Sequence, residues 1–272
     1  MSATLSRVYY NTFYLTAIRY LLPVTSMLAP DLHRIQSLMT ATILNKLGYN
    51  RRYPHAVAFA PKHVFGVGLT DLRIEQGLAH VQALLDYIGT DHKVGRVMLI
   101  SLRHLQLEAG VSFDLLCQPR TPLVYLTDSW VTSLRGFCAE YNVSLRVLRN
   151  RMPTPAREGD QFLMEVALTL GLSKRELQDL NLIRTYMRVT TVSDIATAEG
   201  LTIHPWSWRG LRIPDRHGHL SFARQESPTA SQCGLWRKLL RAVMCPNASA
   251  SALTLSPALG SWIAPSNVTW SA

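Results

Sequence analysis

Residues 43–77 read ILNKLGYNRRYPHAVAFAPKHVFGVGLTDLRIEQG, and this basic, aromatic-rich stretch separates two apolar patterns with helical spacing. Gly48 is expected to end the helix before it, and Asp71 to cap the helix after it. The short apolar run at 55–60 is bounded by prolines, which predicts a strand or extended arm before a glycine turn. The stretch therefore predicts a basic hairpin at 48–70 that joins two helices.

Helices are predicted on both sides of this hairpin. Upstream, apolar residues recur at helical spacing from Tyr9 to Val24, and a second helix is expected to begin at Asp31. Downstream, apolar positions predict helices at 72–88 and 94–107, joined by a short link.

The C-terminal half continues the helical pattern. Ser173 is followed three residues later by Glu176, which is the pattern of a capping box at the start of a helix. β-Branched residues flank a turn signal near 190–204, where a second short hairpin is expected. The predicted fold class is mainly α, a helical bundle of about seven to eight helices with one or two short β-hairpins.

Composition divides the chain into three parts. A basic, proline-containing linker at 149–159 separates a helical region at 1–150 from a smaller helical region at 151–245. After Arg241 the sequence contains no charged side chain, and its Ser/Ala/Pro-rich part at 246–272 is expected to be a disordered tail.

The charge of the chain points to an anionic partner. Its 272 residues carry a formal net charge of +10, which favours association with nucleic acid. Arg19 and Pro23 interrupt the apolar N-terminal stretch, so no membrane span is expected. The four cysteines have no C-x-x-C spacing. We therefore expect an intracellular protein, nuclear or cytoplasmic, with no membrane partner.

No arrangement of residues predicts catalysis. Metal-dependent polymerases need paired carboxylates, and the sequence contains no adjacent Asp pair. A metal site can be drawn from His204, Asp215, His217, His219 and Cys233. Its spacing matches no standard zinc pattern, so an exposed polar loop is the preferred interpretation. We expect no catalytic residue, no metal and no cofactor.

The opening stretch is the strongest candidate for a binding site. Cations alternate there with aromatic side chains, so the cations can neutralise phosphates while the rings stack on bases. The candidate residues are Lys46, Tyr49, Arg51, Arg52, Tyr53, His55 and Lys62. The alternative is a packed hairpin whose arginines face water, and residue chemistry alone favours this alternative.

A second, looser group of cations surrounds the linker and consists of Arg146, Arg149, Arg151 and Arg157. Nearby prolines already mark a linker, so solvated side chains are the preferred interpretation of this group.

Two blocks resemble retrotransposon reverse transcriptase polyproteins. The run LNKLGYNRRYPHAVAFAPKHVFGVGLTDLRIEQGLAHVQALL resembles the region downstream of the palm, and RTYMRVTTVSDIATAEGLTI at 184–203 resembles a later part. The resemblance implies a thumb- or connection-like helical region that grips a template–primer duplex, with RNA, DNA or their hybrid as partner. Because the sequence contains no Tyr-x-Asp-Asp motif, the resemblance implies a non-catalytic fragment that works with a separate reverse transcriptase palm.

A different class of function is also open. The chain could be a helical interaction or scaffold module that binds a protein partner through an apolar groove, with its basic charge serving solubility. A buried 43–77 stretch whose arginines pair with acids would favour this class.

Overall fold

The computed structural model of the chain describes residues 2–148, 150, 152–212, 226–245 and 253–263. Helices dominate these residues, so the predicted mainly α fold is confirmed. None of the helices described is both long enough and apolar enough to cross a membrane. In chain order the helices are α1 Ala3–Tyr9, α2 Leu15–Leu21, α3 Ala29–Lys46, α4 His55–Phe59, α5 Leu72–Tyr87, α6 Lys93–Ala109, α7 Trp130–Glu140, α8 Leu163–Thr169, α9 Lys174–Met187, α10 Val192–Ile195, α11 Pro205–Trp208 and α12 Ala230–Ala242.

The chain folds as two compact units. The first comprises Met1–Ile100 and Asp128–Arg149, and the second comprises Ser101–Thr127 and Asn150–Ala272. The sequence predicted a division near residue 150, and one boundary of the units lies there. The second unit also takes 101–127, because residues at and just after the end of α6 form hydrogen bonds with α9 and α8.

The first unit is built on an apolar core shared by the π-helical turn Tyr10–Tyr14 and by α2 to α5. Leu15, Leu32, Leu44 and Leu72 are buried together in this core. α5 and α7 pack so closely that a β-carbon on Gly77 would lie 2.0 Å from the ring of Phe137. A glycine is therefore required on α5 at this contact.

Local capping signals set the ends of the long helices as predicted. Gly48 follows α3 with φ of +85°, and the Tyr49 N–H donates to the Leu44 carbonyl at 2.9 Å, as in a Schellman motif. The Asp71 carboxylate accepts from the Arg73 N–H at 2.8 Å at the start of α5. Ser173 and Glu176 form the expected capping box of α9.

The hairpin predicted at 48–70 is wrong. Residues 55–60 are not a strand, because Pro54 precedes a short helix, α4, in which alternating alanines favour helix over strand. Ala58 of α4 is fully buried in the core. A 3-10 turn at Lys62–Val64 follows, and no strand is present among the described residues of this stretch.

The hairpin predicted near 190–204 is also wrong in its first half. Thr191 and Asp194 form a capping box that starts α10, so the β-branched residues there are helical. Pairing is limited to an isolated antiparallel bridge between Ala196 and Ile203. The carboxylate of Asp194 also accepts from the Thr190 N–H at 2.7 Å, which holds the helical turn.

The tail predicted to be disordered at 246–272 differs from the structure at 253–263. Leu253, Leu255 and Leu259 are buried there, and Thr254 bridges Thr202. These leucines supply apolar surface that the overall composition of the tail does not reveal. The remainder of the predicted tail lies outside the described residues.

The core of the second unit contains a buried arginine. The Arg184 guanidinium, on α9, donates to the carbonyls of Leu107 at 2.9 Å and Glu108 at 2.6 Å, which lie in the last turn of α6. It also donates to Asn181 Oδ1 at 2.9 Å. Burial lowers the pKa of Arg184 to about 10, so the side chain stays charged at neutral pH and caps the negative end of α6.

Candidate nucleic-acid interface

The candidate basic residues lie on the surface of the first unit. Lys46 ends α3, Arg51 and Arg52 lie in the turn after it, His55 begins α4, and Lys62 begins the 3-10 turn. All five side chains are exposed, and none of them forms an ion pair with a described residue. The predicted cations are therefore open to an anionic partner.

The absence of acids nearby in the sequence explains why these side chains form no ion pair with a described residue. Residues 32–70 contain no Asp or Glu, and Asp31 is the one acid among residues 1–70, against seven Lys and Arg. Elsewhere in the first unit acids do pair with cations, as Arg19 does with Glu75 at 2.8 Å.

The candidate aromatic residues differ in how accessible they are. The rings of Tyr49 and Tyr53 have centroids 4.8 Å apart, and Tyr53 is partly buried against the apolar core. Tyr49 lies on the outer side and is exposed. The His55 ring lies 4.8 Å from that of Phe59, which also packs on the core. Tyr53 thus packs between the apolar core and this surface, whereas Tyr49 and His55 face solvent.

A loop after α4 completes this surface. The N–H groups of Val67, Gly68 and Leu69 donate to the carbonyls of Val57, Ala60 and Ala58 at 2.9–3.0 Å. This places the chain after the 3-10 turn directly against the C-terminal end of α4.

Two residues of α1 and the adjoining π-helical turn hold the same loop. The Arg7 guanidinium donates to the Val67 carbonyl. The Tyr10 hydroxyl accepts from the Thr70 N–H at 3.1 Å. Neither residue could be identified from the sequence, because their partners lie 60 positions away in the chain.

The second basic group does not form a comparable surface. Arg157 is buried and donates to the carbonyls of Gly260 at 2.9 Å and Ala198 at 3.0 Å, so its expected solvation is wrong. Arg146 is exposed. Arg149 and Arg151 lie outside the described residues.

His204 and Cys233 are the described members of the metal site drawn from the sequence, and His204 has a structural role. His204 precedes α11, where its Nδ1 accepts from the Trp206 N–H at 3.3 Å. Asp215, His217 and His219 lie outside the described residues. Among the residues that the structure does describe, no group of three His, Cys, Asp or Glu is arranged to hold a metal ion.

Each unit also contains an open cavity. One of about 660 Å³ lies between α2 and α5 in the first unit and is flanked by the Arg19–Glu75 ion pair. One of about 520 Å³ in the second unit is lined by Asp160 and Glu165. Both of these carboxylates accept backbone N–H groups, that of Ser193 at 2.9 Å and that of Ser112 at 2.6 Å, respectively.

Comparisons of the whole chain with protein families, with curated proteins and with solved structures find no match.

Proposed function

We propose that this chain binds nucleic acid through the exposed cations of residues 46–62, without catalysing a reaction itself. The observation that carries this proposal is the acid-free stretch 32–70, in which four Lys and Arg side chains and His55 are exposed and form no ion pair with described residues. Phosphates are the most abundant anions that such a surface can neutralise, and release of their counterions drives the binding. The proposal therefore rests on charge placement and not on a catalytic arrangement.

The partner class follows from the same surface together with the sequence resemblance. Exposed aromatic rings beside cations suit nucleic acid without strong sequence preference. The resemblance to the region after the palm of retrotransposon reverse transcriptases adds an RNA:DNA hybrid as the first ligand to test, with catalysis supplied by a separate palm. This second part of the proposal rests on the sequence resemblance alone.

The test is a titration of a fluorescently labelled RNA:DNA hybrid at several salt concentrations. The variant replaces four cations by alanine, namely Lys46, Arg51, Arg52 and Lys62. We expect the wild-type protein to bind at low salt with an affinity that falls as salt rises. The variant should bind more weakly, with a slope of log affinity against log salt reduced by about three to four.

A matched control variant removes the same amount of charge from the second unit. It replaces four exposed cations by alanine, namely Lys174, Arg175, Arg237 and Lys238. We expect this control to retain most of the salt slope. Equal losses in the two variants would mean that only the net charge matters, and no binding by the wild-type protein at low salt would reject the proposal.

A second candidate function is protein binding, and one specific observation favours it. Four large apolar side chains at the N-terminal end of the chain, Tyr9, Phe13, Tyr20 and Val24, are each more than half exposed. We call them the N-terminal apolar stripe. The rings of Tyr9 and Phe13 have centroids 5.1 Å apart, and exposed apolar side chains that form a patch are typical of surfaces that bind other proteins.

The two candidates differ in their response to salt. Association through the N-terminal apolar stripe is driven by apolar burial, so high salt should not weaken it. Sedimentation velocity over a range of protein concentrations would detect self-association. If complexes form at high salt, and if Phe13→Ser with Tyr20→Ser abolishes them, the stripe is a protein-binding surface.

A further inference from the structure

Phe65 is the most exposed large apolar residue of the described chain. Its side chain is 95% exposed, and the neighbouring Val64 is 55% exposed. An aromatic ring in this position gains almost nothing from the core of the protein. Both residues lie at the tip of the 3-10 turn that begins with Lys62.

The backbone holds this ring outward at a conformational cost. Phe65 has φ of +63°, in the left-handed region that glycine or asparagine usually occupies. The next residue, Gly66, cannot be replaced without a clash, since a β-carbon there would lie 1.9 Å from the Ala60 carbonyl oxygen. The conformation of the tip is thus fixed by its contacts with α4, and this conformation directs the Phe65 ring toward solvent.

The tip is also cationic. Lys62 and His63 precede the exposed pair, and the Lys62 stem passes over Gly68, where a β-carbon would lie 3.0 Å from its Cγ. A β-carbon on Gly68 would also lie 3.6 Å from the Arg7 guanidinium, which brings a further cation to this side of the loop. Residues 32–70 contain no acid that could offset these charges.

A flat apolar ring beside cations suits a ligand that combines phosphates with exposed π faces. Single-stranded nucleic acid has both, because its unpaired bases stack on aromatic side chains while basic groups follow its backbone. An anionic membrane would also attract the cations, but stable insertion needs a broader apolar face than Phe65 and Val64 provide. The observations therefore favour single-stranded nucleic acid.

We infer that Phe65 stacks on an unpaired base of a nucleic-acid strand whose phosphates the neighbouring cations bind. This inference rests on the proposed nucleic-acid function and adds to it the ligand form, a strand with accessible bases. It makes Phe65 a binding residue in addition to the cations.

The experiment compares two ligands of equal charge, a thymidine oligonucleotide and an abasic deoxyribose-phosphate strand of the same length. Binding of each to the full chain is measured for wild type, Phe65→Ala, Phe65→Trp and Val64→Ala. We expect Phe65→Ala to weaken oligothymidine binding about tenfold, or about 1.4 kcal/mol. Its affinity for the abasic strand should stay within about twofold of wild type, because both proteins retain the same cations.

Two variants serve as controls. Phe65→Trp keeps a stacking ring and should bind oligothymidine at least as tightly as wild type. Val64→Ala removes exposed apolar surface without a ring and should stay within about twofold. Thermal melting of each variant, followed by circular dichroism, verifies that the fold is unchanged.

Several results would overturn the inference. Equal weakening of both ligands by Phe65→Ala would show that the residue acts through the fold, and no weakening of either would show that it makes no contact. If Phe65→Ala loses binding to phosphatidylserine vesicles while its oligonucleotide binding is unchanged, the tip binds membranes instead. If wild type binds neither strand at low salt but binds the RNA:DNA hybrid, the inference fails and the proposed function stands, whereas binding of none of the three ligands rejects both. Equal affinity of the wild type for the two strands rejects base stacking and leaves the proposed function intact.

Discussion

Gly66 lies against the C-terminal end of α4, where no room exists for a side chain. A β-carbon at this position would approach the Ala60 carbonyl oxygen to 1.9 Å and the Ala60 carbonyl carbon to 2.3 Å, and these backbone atoms cannot move without moving the end of α4. Gly48, in contrast, has φ of +85° with nothing within 4 Å of a β-carbon. One glycine is therefore required by packing, and the other only by its backbone conformation.

We predict that Gly66→Ala lowers the free energy of unfolding by more than about 2 kcal/mol, because the loop must move away from α4. Gly48→Ala should cost about 1 kcal/mol, the usual penalty for a β-carbon in the left-handed region. Urea denaturation of both variants measures the difference. Similar losses in the two variants would contradict the role of packing at Gly66.

His80 provides a residue-scale prediction about pH. Its Nε2 lies 2.8 Å from the Thr25 carbonyl and its ring lies 5.1 Å from that of Trp130. Burial lowers the pKa of His80 below its ordinary value of about 6.5, although the carbonyls of Thr25 and Leu22 favour the charged form, and the charge of Arg73 lowers it further.

The unfolded chain therefore takes up a proton at His80 before the folded chain does. Stability from the neutral ring is fully present above about pH 6.5 and is lost as the pH falls below that value. We predict that the free energy of unfolding falls between pH 7.5 and 5.5, and that the fall is smaller for His80→Gln. Urea melts at both pH values measure this, and identical falls in both proteins would exclude His80 as a cause.

Helices with local capping signals follow from the sequence, and short helices do not. The ends set by Gly48, Asp71 and Ser173 depend on neighbouring residues only, so they could be predicted. α4 and α10 have five and four residues, too few for a helical period to be recognised. Their conformation depends on contacts with distant parts of the chain.

The candidate site was predictable to a similar degree. The exposure of the Lys and Arg residues at 46–62 could be predicted, because charged side chains usually face solvent. The outward ring of Phe65 could not, since an aromatic residue is usually buried. The burial of Arg157 and Arg184 could not be predicted either, because their partners are distant in the sequence. The partners of Arg157 lie 41 and 103 positions away, and a partner of Arg184 lies 77 positions away.

The side chain of Arg184 on α9 is bound to the end of α6. We predict that Arg184→Met lowers the free energy of unfolding by about 3 kcal/mol or more, because carbonyls at the end of α6 lose their buried donor. Arg175→Met on the exposed side of α9 is the matched control and should cost less than about 0.5 kcal/mol. Equal stability of the two variants in guanidinium chloride would contradict this role of Arg184.

At the scale of the whole molecule, the division into units does not follow the order of the chain. The second unit needs 101–127, which supplies the carbonyl partners of Arg184 and the Ser112 N–H bound by Glu165. Composition located the linker near residue 150 but could not assign this earlier segment, because nothing in its sequence identifies its partners.

We predict that a fragment of residues 150–272 does not fold by itself, whereas residues 93–272 unfold cooperatively. The shorter fragment leaves Arg184 with a buried charge and without the α6 carbonyls. Thermal melting followed by circular dichroism distinguishes the two fragments. A cooperative transition of the shorter one would show that 101–127 is dispensable.

The contacts of Arg7 with Val67 and of Tyr10 with Thr70 have a consequence for the order of folding. Each contact closes a segment of 60 residues, and the entropy lost in closing so long a loop delays its formation relative to local helices. The tip that carries Phe65 should therefore reach its final shape only after the first helix has docked. In a refolding experiment, helical signal should return first and affinity for oligothymidine later.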